Sequence, residues 1–383
     1  MTVTVQEITD QEQWNNFLAS QPMSHFFQTY EWGELNKYLG GDIYRLGAFE
    51  DGRLAGVMLI ATARVPLPGL KLTWLYSARG PVVERPDSPA LPALIAHAHR
   101  VARKEKAVVL RIEPNIADDD PQMDTWIDVY HKLGFRNNPV SVHGRRSWVL
   151  DIRPTPEKLL ASFKMTWRQN VRSAERKGVV IREASSDADF DAYYNLLQMT
   201  SERDAFFIHS PDYHKEILRY FGSKGDAVLY LAEHEGEAIA AKALIRFGDW
   251  CWDMFGATSS HKRNLKPAYL LQYRCFLWAK EKGCNYFDFR TIPEILEPGE
   301  EMWGVYEYKK GFGGFSRMNI PTQDYVYRPL FYNVWRKLVE LRRARRQKER
   351  RKIEMERASR GSGSKEQNQE QEKQGQEQEK ARL

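Results

Sequence analysis

The sequence predicts a mixed α/β protein made of two tandem domains with the same order of elements. Each half carries a β-hairpin, a further strand, a helix and then a buried strand. Asp51-Gly52 is a strong hairpin signal, and the second hairpin turns at Glu235-Gly236. The strands that close the two repeats are AVVLRIEP (107–114) and CNYFDFR (284–290). This order is typical of acetyltransferase-like (GNAT-type) acyl-transfer domains, in which helices cover a mixed sheet.

Local patterns place the individual elements and the domain limits. A short helix over 8–19 is capped by Thr9 or Asp10, and a second helix ends at Gly40-Gly41. A strand near SWVLDI closes the first half, and the segment between 195 and 230 lacks a long heptad pattern. We therefore expect a first domain over 1–150, completed by 318–335, and a second domain over 151–317.

Composition excludes several classes of protein. The chain has 383 residues and is 42% hydrophobic, so a packed core is expected. Its three cysteines, Cys251, Cys275 and Cys284, form no CxxC or Cys/His cluster, so we expect no metal and no cofactor. The N-terminus has no apolar signal region, and no apolar run approaches the ~20 residues of a membrane span. We expect a cytoplasmic protein whose contact with a membrane, if any, is peripheral and on the inner face.

Positive charge is concentrated late in the chain. The net charge is +6, yet residues 336–360 alone hold 12 Lys/Arg against 4 Asp/Glu. We expect a basic helix over 328–360, in which Arg345 and Arg346 contribute to a surface that suits RNA or an anionic membrane. Residues 361–383 are low in complexity and are expected to be disordered.

A helix with two distinct faces is predicted between the two halves, over 156–178. Apolar residues recur at helical spacing along one face. A basic stripe runs along another face at steps of four: Lys164, Arg168, Arg172 and Arg176. Like charges at this spacing destabilise a helix by a few tenths of a kcal/mol per pair, so the stripe either binds an anion, such as the phosphates of an RNA, or is a solvated face.

The usual catalytic motifs are missing. The sequence contains no GxSxG, HExxH, P-loop or GxGxxG motif. The phosphate loop of coenzyme A acetyltransferases is also missing from both halves. The fold therefore indicates acyl transfer, whereas the sequence indicates a donor other than acyl-CoA.

The stretch GEEMWGVYEYKKGFGGFSRM (299–318) is the main candidate for chemistry. It places Lys309 and Lys310 between aromatic residues and three glycines. A lysine beside a glycine-rich turn can hold a phosphate or a developing oxyanion. Taken alone, the pattern is more typical of a hairpin turn with two solvated lysines.

Four motifs in order resemble the FemABX family of peptidoglycan interpeptide-bridge aminoacyltransferases. The motifs are FFQTYEWGELNKYLG, KMTWRQNVRSAERKGV, NLKPAYLLQYRCFLWAKEKGCNYFDF and MWGVYEYKKGFGG. The resemblance implies two tandem acetyltransferase-like domains and transfer of an amino acid such as Gly, Ala or Ser. The implied donor is aminoacyl-tRNA, and the implied acceptor is an amine of a lipid-linked or UDP-linked muramyl peptide precursor.

The resemblance also implies roles for individual residues. The family's Phe-Lys pair becomes Tyr308-Lys309, where the lysine stabilises the tetrahedral intermediate and Lys310 is the fallback. The family's strand-end aspartate becomes Glu113, which could act as the general base. The implied substrate-binding residues are Lys37 (with Asn36 an equal match), His209 in place of an arginine, Arg203 as its substitute, Tyr213 and Phe255.

Two other functions remain open on the sequence. One is an acyltransferase of the same fold with a thioester donor and a different amine acceptor. The other is a non-catalytic RNA-binding protein that uses the basic segment.

Overall fold

Two β-sheets with helices packed against them make up the fold. The structure is a computed structural model, and it describes residues 2–66, 69–204, 206–341 and 345. The first half supplies β1 (Val3–Glu7), α1 (Gln11–Ala19), α2 (Tyr30–Tyr38), β2 (Ile43–Glu50), β3 (Arg53–Arg64), β4 (Thr73–Arg79), β5 (Val82–Val83), α3 (Ala90–Lys104), β6 (Ala107–Pro114), α4 (Met123–Lys132) and β7 (Arg136–Asn138).

The second half supplies β8 (Arg146–Asp151), α5 (Pro156–Ser162), α6 (Met165–Arg176), β9 (Val180–Glu183), α7 (Asp187–Asp204), α8 (Pro211–Gly222), β10 (Ala227–His234), β11 (Glu237–Phe247), β12 (Trp250–Thr258), α9 (Pro267–Glu281), β13 (Tyr286–Thr291), α10 (Trp303–Lys310) and β14 (Phe315–Met318). The chain then adds β15 (Thr322–Val326) and α11 (329–341).

The first sheet has the order β1-β2-β3-β4-β6-β15-β7, with β5 beside β3. The strands β4 and β6 run parallel and are joined by α3, as a parallel pair requires a crossover connection. The helix α3 buries Leu91, Leu94, Ala98 and Val101, one apolar face at steps of three and four. The late segment 318–335, which the sequence assigns to this domain, supplies β15 between β6 and β7.

The second sheet repeats this arrangement with the order β14-β8-β13-β12-β11-β10-β9. The strands β12 and β13 are parallel and are joined by α9, which buries Leu271, Cys275 and Phe276 in the core. The hairpin of β10 and β11 turns at Glu235-Gly236, where both residues have positive φ. The predicted α/β class with two mixed sheets is confirmed.

The strand β8 corrects the predicted boundary at residue 150. The sequence analysis assigned SWVLDI to the first domain, whereas β8 lies in the second sheet between β13 and β14. Leu150 pairs with Phe287, and Val149 pairs with both Asp288 and Phe315. An apolar strand fits either sheet, and its partners lie far along the chain, so local sequence could not decide between them.

The predicted single helix over 156–178 is wrong, because it breaks into α5 and α6 at Phe163. This residue has an extended backbone (φ −66°, ψ 151°), and its ring is buried against Phe276 and Phe312. The next residue, Lys164, donates its backbone N–H to the carbonyl of Gly311 at 2.8 Å. The break thus inserts Phe163 into the core and ties α6 to the segment that follows α10.

Aromatic side chains from both halves pack together where the two domains meet. Phe26 and Phe27 of the first half contact Phe221, Trp252 and Met254 of the second in one buried cluster. The two halves therefore share a core, which fixes the strand ends of one sheet relative to the other.

The helix α11 returns to the first sheet. Tyr332 and Trp335 are buried against Val108 and Val109, and the Tyr332 hydroxyl donates to Asp324 at 2.7 Å. Asp324 also accepts a two-pronged ion pair from Arg111, at 2.8 Å for both bonds. The rest of the predicted basic helix, including Arg346, and the tail 361–383 lie outside the described residues. Among the helices of the described ranges, none combines the length and apolar character needed to cross a membrane.

Candidate active site

Lys309 and Lys310 lie in the last turn of α10, so the hairpin-turn interpretation of this stretch is wrong. The glycines that follow are required for packing. A Cβ on Gly311 would lie 2.3 Å from the indole of Trp167, and one on Gly314 would lie 2.2 Å from the carbonyl oxygen of Val149. The glycine run therefore lets α10 pack closely on α6 and β8.

Lys309 is buried, and its ammonium donates to the carbonyl oxygen of Thr291 at 2.8 Å. The pKa of Lys309 is lowered to about 8, mainly by burial. Lys242 and Arg290 also lower this pKa, whereas Asp253 and Asp288 partly offset the effect. Near neutral pH this lysine is a charged donor that gives up its proton far more readily than an ordinary lysine. Such a group can stabilise an oxyanion and protonate a leaving oxygen.

The charges around Lys309 come from neighbouring strands of the second sheet. Lys242 on β11 forms an ion pair with Asp253 on β12, and both side chains are largely buried. Asp288 on β13 accepts the backbone N–H of Arg290 at 2.6 Å, and burial raises the pKa of its carboxyl group. Because Lys242 and Asp253 neutralise each other, their opposite effects on the pKa of Lys309 partly cancel.

The neighbours of Lys309 on α10 are used differently. Lys310 is more than half exposed and stands 5.3 Å from the ring of Tyr306, so it faces solvent. The hydroxyl of Tyr308 donates to the carbonyl of Ala268 at 2.9 Å, and burial raises the pKa of this hydroxyl well above its usual value. Tyr308 therefore joins α10 to the start of α9, and Lys309 is the residue of this stretch that suits catalysis.

Glu113 does not suit the role of general base. One carboxylate oxygen accepts from the N–H of Val142 (2.6 Å) and the hydroxyl of Thr322 (3.2 Å), and the other from the hydroxyl of Tyr76 (2.6 Å) and the N–H of His143 (3.2 Å). Both oxygens are thus occupied by groups of the protein itself. Glu113 holds the loop at 142–143 in place, which a strand-end Glu-Pro pair in a sequence cannot reveal.

A cavity of about 610 Å³ opens beside Lys242 and Tyr308, between α10, the start of α9 and the strands β11 and β12. Its lining carries four cationic side chains: Arg203, Lys242, Arg263 and Lys266. Arg203 donates to the carbonyl of Thr258 at 2.9 Å and pairs with Asp204, which fixes it at the rim. The cavity can accept a phosphorylated ligand that ends next to α10.

The predicted aromatic groove residues lie together. The rings of His209 and Tyr213 stack at 4.0 Å, and the rings of Tyr213 and Phe255 meet edge to face at 6.5 Å. Burial lowers the pKa of His209 and raises the pKa of Tyr213 to about 12, so both are neutral near pH 7. These three residues form one uncharged wall, consistent with a binding surface.

The remaining predicted residues lie elsewhere. Lys37 is exposed on α2 and lines a separate depression of the first domain with Arg45 and Lys104, so the structure does not bring it to Lys309. Arg168 and Arg172 line a third depression on α5 and α6. Lys164 covers the ring of Trp167 at 5.1 Å, and Arg176 and Arg345 are exposed.

Sequence reasoning missed a group of cationic and imidazole side chains where the two sheets meet. We call it the junction cluster: His25, Arg79, His143, Arg290 and Arg317. Phe27 is stacked between His25 (4.7 Å) and His143 (4.1 Å), and the guanidinium carbon of Arg290 lies 5.6 Å from the same ring. Burial and the neighbouring arginines lower the pKa values of both histidines well below the usual range.

Two arginines of the junction cluster have unusual backbones. Arg79 ends β4 with φ +54°, and Arg290 lies on β13 with φ +64°. A non-glycine residue in this region is strained, and such strain is concentrated at functional sites. Arg79 donates to the carbonyl of Gly144 at 2.8 Å, yet its buried Nε has no partner in the described part of the chain. The junction cluster is thus suited to binding an anion. No local sequence motif could predict this cluster, because its members come from five separate segments.

Comparison with known proteins agrees with this architecture. The FemAB family matches residues 8–238 and 232–340. The lipid II:glycine glycyltransferase of Staphylococcus saprophyticus is 24% identical to this chain, and the match covers 85% of this chain and 94% of the relative. The lipid II:glycine glycyltransferase of Staphylococcus epidermidis is 23% identical, and the match covers 86% of this chain and 94% of the relative. The crystal structure of FemX superposes with a TM-score of 0.79 at 21% identity, covering 87% of this chain and 99% of FemX. A tandem GNAT protein from the clavulanic acid biosynthesis pathway gives a TM-score of 0.52 at 14% identity, covering 84% and 98%. The predicted resemblance is confirmed, and the chain belongs to the FemAB family.

Proposed function

We propose that this protein transfers glycine from glycyl-tRNA to an amine on the stem peptide of lipid II. The observation that carries the proposal is the position of Lys309 between the cavity and the junction cluster: its neighbour Tyr308 lines the cavity, and its ammonium donates to the carbonyl oxygen of Thr291, the residue after Arg290. A lysine there can act on a bond between two substrates that enter from different sides. The relatives named lipid II:glycine glycyltransferases support this choice of amino acid and acceptor.

The cavity suits the aminoacylated end of a tRNA. The exposed Arg263 and Lys266 of its lining can contact the phosphates of a 3′-terminal nucleotide, and Tyr269 offers an aromatic ring in the same lining. The coenzyme A phosphate loop is missing from the sequence, which disfavours a thioester donor. We assign the donor to this cavity, with its ester next to α10.

The junction cluster suits the acceptor. Lipid II carries a diphosphate and stem-peptide carboxylates, and Arg79, Arg290 and Arg317 supply charge for such anions. The uncharged wall of His209, Tyr213 and Phe255 can hold the peptide beside them. In this arrangement the acceptor amine approaches the ester from the junction side of Lys309.

The reaction needs little from the protein beyond placement and one charged donor. The acceptor nitrogen attacks the ester carbonyl, a C–N bond forms, and negative charge develops on the carbonyl oxygen. The ammonium of Lys309 stabilises that charge and gives its proton to the ribose oxygen as the C–O bond breaks. The proton lost by the attacking amine restores Lys309, so protons and charge balance. Orientation of the two substrates supplies much of the remaining rate.

The test is a transfer assay with purified protein, lipid II and tRNA charged with radiolabelled glycine, alanine or serine. We expect label to appear in lipid II from glycyl-tRNA and mass spectrometry to show one added glycine. Transfer from alanyl- or seryl-tRNA alone would correct the amino acid. Turnover of acetyl-CoA with no transfer from any charged tRNA would overturn the proposal.

A further inference from the structure

The helix α11 has a second apolar face that the fold leaves uncovered. Tyr332 and Trp335 are buried on the first sheet, whereas Leu330, Val334 and Leu341 are 72%, 43% and 59% exposed. At 3.6 residues per turn these three positions fall along one side of the helix, turned away from the buried ridge. Aliphatic side chains in such a row are unusual on a protein surface that meets only water.

Basic residues accompany this face. Lys337 is exposed and falls on the same side of the helix by the same periodicity, and Arg345 is exposed further along the chain. Further along, the sequence over 336–360 carries 12 Lys/Arg against 4 Asp/Glu. An apolar row with lysine and arginine beside it is the pattern of helices that lie in the interface of an anionic bilayer.

The protein holds this face outward. The hydrogen bond from Tyr332 to Asp324, whose carboxylate is held by Arg111, and the contact of Trp335 with Trp74 at 5.4 Å fix the opposite side of α11. Because these contacts are buried, the helix cannot rotate to cover Leu330, Val334 and Leu341 without breaking the contacts. The exposed row is therefore presented to the surroundings in the folded protein.

A row of ring contacts links α11 to the junction cluster. Trp335 meets Trp74, Trp74 stacks on Tyr76 at 5.3 Å, and Tyr76 meets His143 at 6.0 Å. The helix and the assigned acceptor site thus lie along the same face of the first sheet. A membrane that held α11 would bring the acceptor site close to the membrane surface.

We propose that α11 docks this protein on an anionic phospholipid bilayer, with Leu330, Val334 and Leu341 inserted and Lys337 and Arg345 at the headgroups. An RNA partner fits less well, because phosphate recognition makes no use of an aliphatic row. The proposal rests on the proposed function in one respect: docking would serve an acceptor that is itself anchored in the membrane.

The test compares a triple variant and a double control variant with the wild type in vesicle flotation. One variant carries Leu330→Gln, Val334→Gln and Leu341→Gln, and the control carries Met165→Gln and Val180→Gln, which are equally exposed elsewhere. We expect wild type and control to float with phosphatidylcholine vesicles containing phosphatidylglycerol and the triple variant to lose at least about tenfold in binding. Circular dichroism melting establishes that each variant is folded.

Two further measurements separate docking from catalysis. With a water-soluble stem-peptide acceptor the triple variant should transfer glycine at the wild-type rate, whereas with lipid II in vesicles its rate should fall. Failure of transfer on both acceptors by the wild type would sink the proposed function and leave the flotation result intact. Equal flotation of triple variant and wild type, or loss of tRNA binding instead of vesicle binding, would overturn the docking proposal.

Discussion

The indole of Trp167 on α6 donates its N–H to the carbonyl oxygen of Tyr308 at 2.9 Å and covers Gly311, which leaves no space for a side chain there. This contact ties α6 to the last turn of α10, next to Lys309. The position of Lys309, the proposed catalytic residue, therefore depends on a tryptophan from a helix that the sequence marks mainly by its basic stripe.

Replacing Gly311 with alanine should displace that indole. Overpacking of this kind costs about 1–3 kcal/mol, so we expect a lower melting temperature and reduced glycine transfer. The matched control is Gly304→Ala in α10, the helix that Gly311 follows, because nothing lies within 4 Å of the added Cβ. It should gain about 0.5–1 kcal/mol from helix propensity. Equal melting temperatures for the two variants would show that Trp167 moves aside without a loss of stability.

Lys309 and Lys310 should differ sharply in their contributions to catalysis. Losing one oxyanion donor costs about 2.7–4 kcal/mol, so Lys309→Met should lower kcat roughly 100- to 1000-fold. Lys310→Met, which removes an exposed lysine, should leave the rate nearly unchanged. Single-turnover transfer from glycyl-tRNA measures both. The reverse order of effects would move the catalytic role to Lys310.

The lowered pKa of Lys309 also predicts a pH dependence. Transfer that needs its ammonium should decline as pH rises through about 8. Stability should show the opposite slope, because between about 8 and the ordinary value of 10.5 the unfolded chain binds a proton that the folded chain does not. Across this window the residue makes stability rise with pH by up to about 1.4 kcal/mol per unit. Urea unfolding at several pH values should show this slope in wild type and its loss in Lys309→Met.

Acid should weaken the protein at the junction cluster. His25 and His143 are held neutral by burial and by Arg79, Arg290 and Arg317, so their pKa values lie below the ordinary 6.5. As pH falls below about 6.5 the unfolded chain takes up protons first, and stability is lost. His143→Phe keeps a ring against Phe27 and should lose less stability between pH 7 and 5 than wild type. The exposed His131→Gln is the control, and an unchanged acid loss in His143→Phe would contradict the prediction.

Glu113 should behave as an anchor. A general base contributes about 10²–10⁴-fold to the rate, whereas the loss of one buried hydrogen-bond partner mainly costs stability. We expect Glu113→Gln to lower the melting temperature while reducing transfer less than tenfold, with the shape of the pH–rate profile retained. A hundredfold loss of rate in a variant with the melting temperature of the wild type would instead support Glu113 as the general base.

Local sequence was enough wherever local chemistry decides the structure. The hairpin turns at Gly52 and Gly236 need a positive φ, and the glycines at these positions predict the turns. The helices α3 and α9 are predicted by the spacing of their own apolar residues. The placement of β8 and the break at Phe163 depend on partners far along the chain. Lys309 could be proposed from the sequence because one motif carries it, whereas Arg79 and Arg290 come together only after both sheets have formed.

The position of β15 has a consequence for how the chain reaches its native state. This strand separates β6 from β7, and β7 pairs with the sheet only through it. During synthesis the first domain therefore has an open β6 edge until the whole second domain has left the ribosome. Such an edge is prone to wrong pairing, and closing it joins segments about two hundred residues apart, which slows folding. The amino-terminal half is thus the first to be made and the last to be finished.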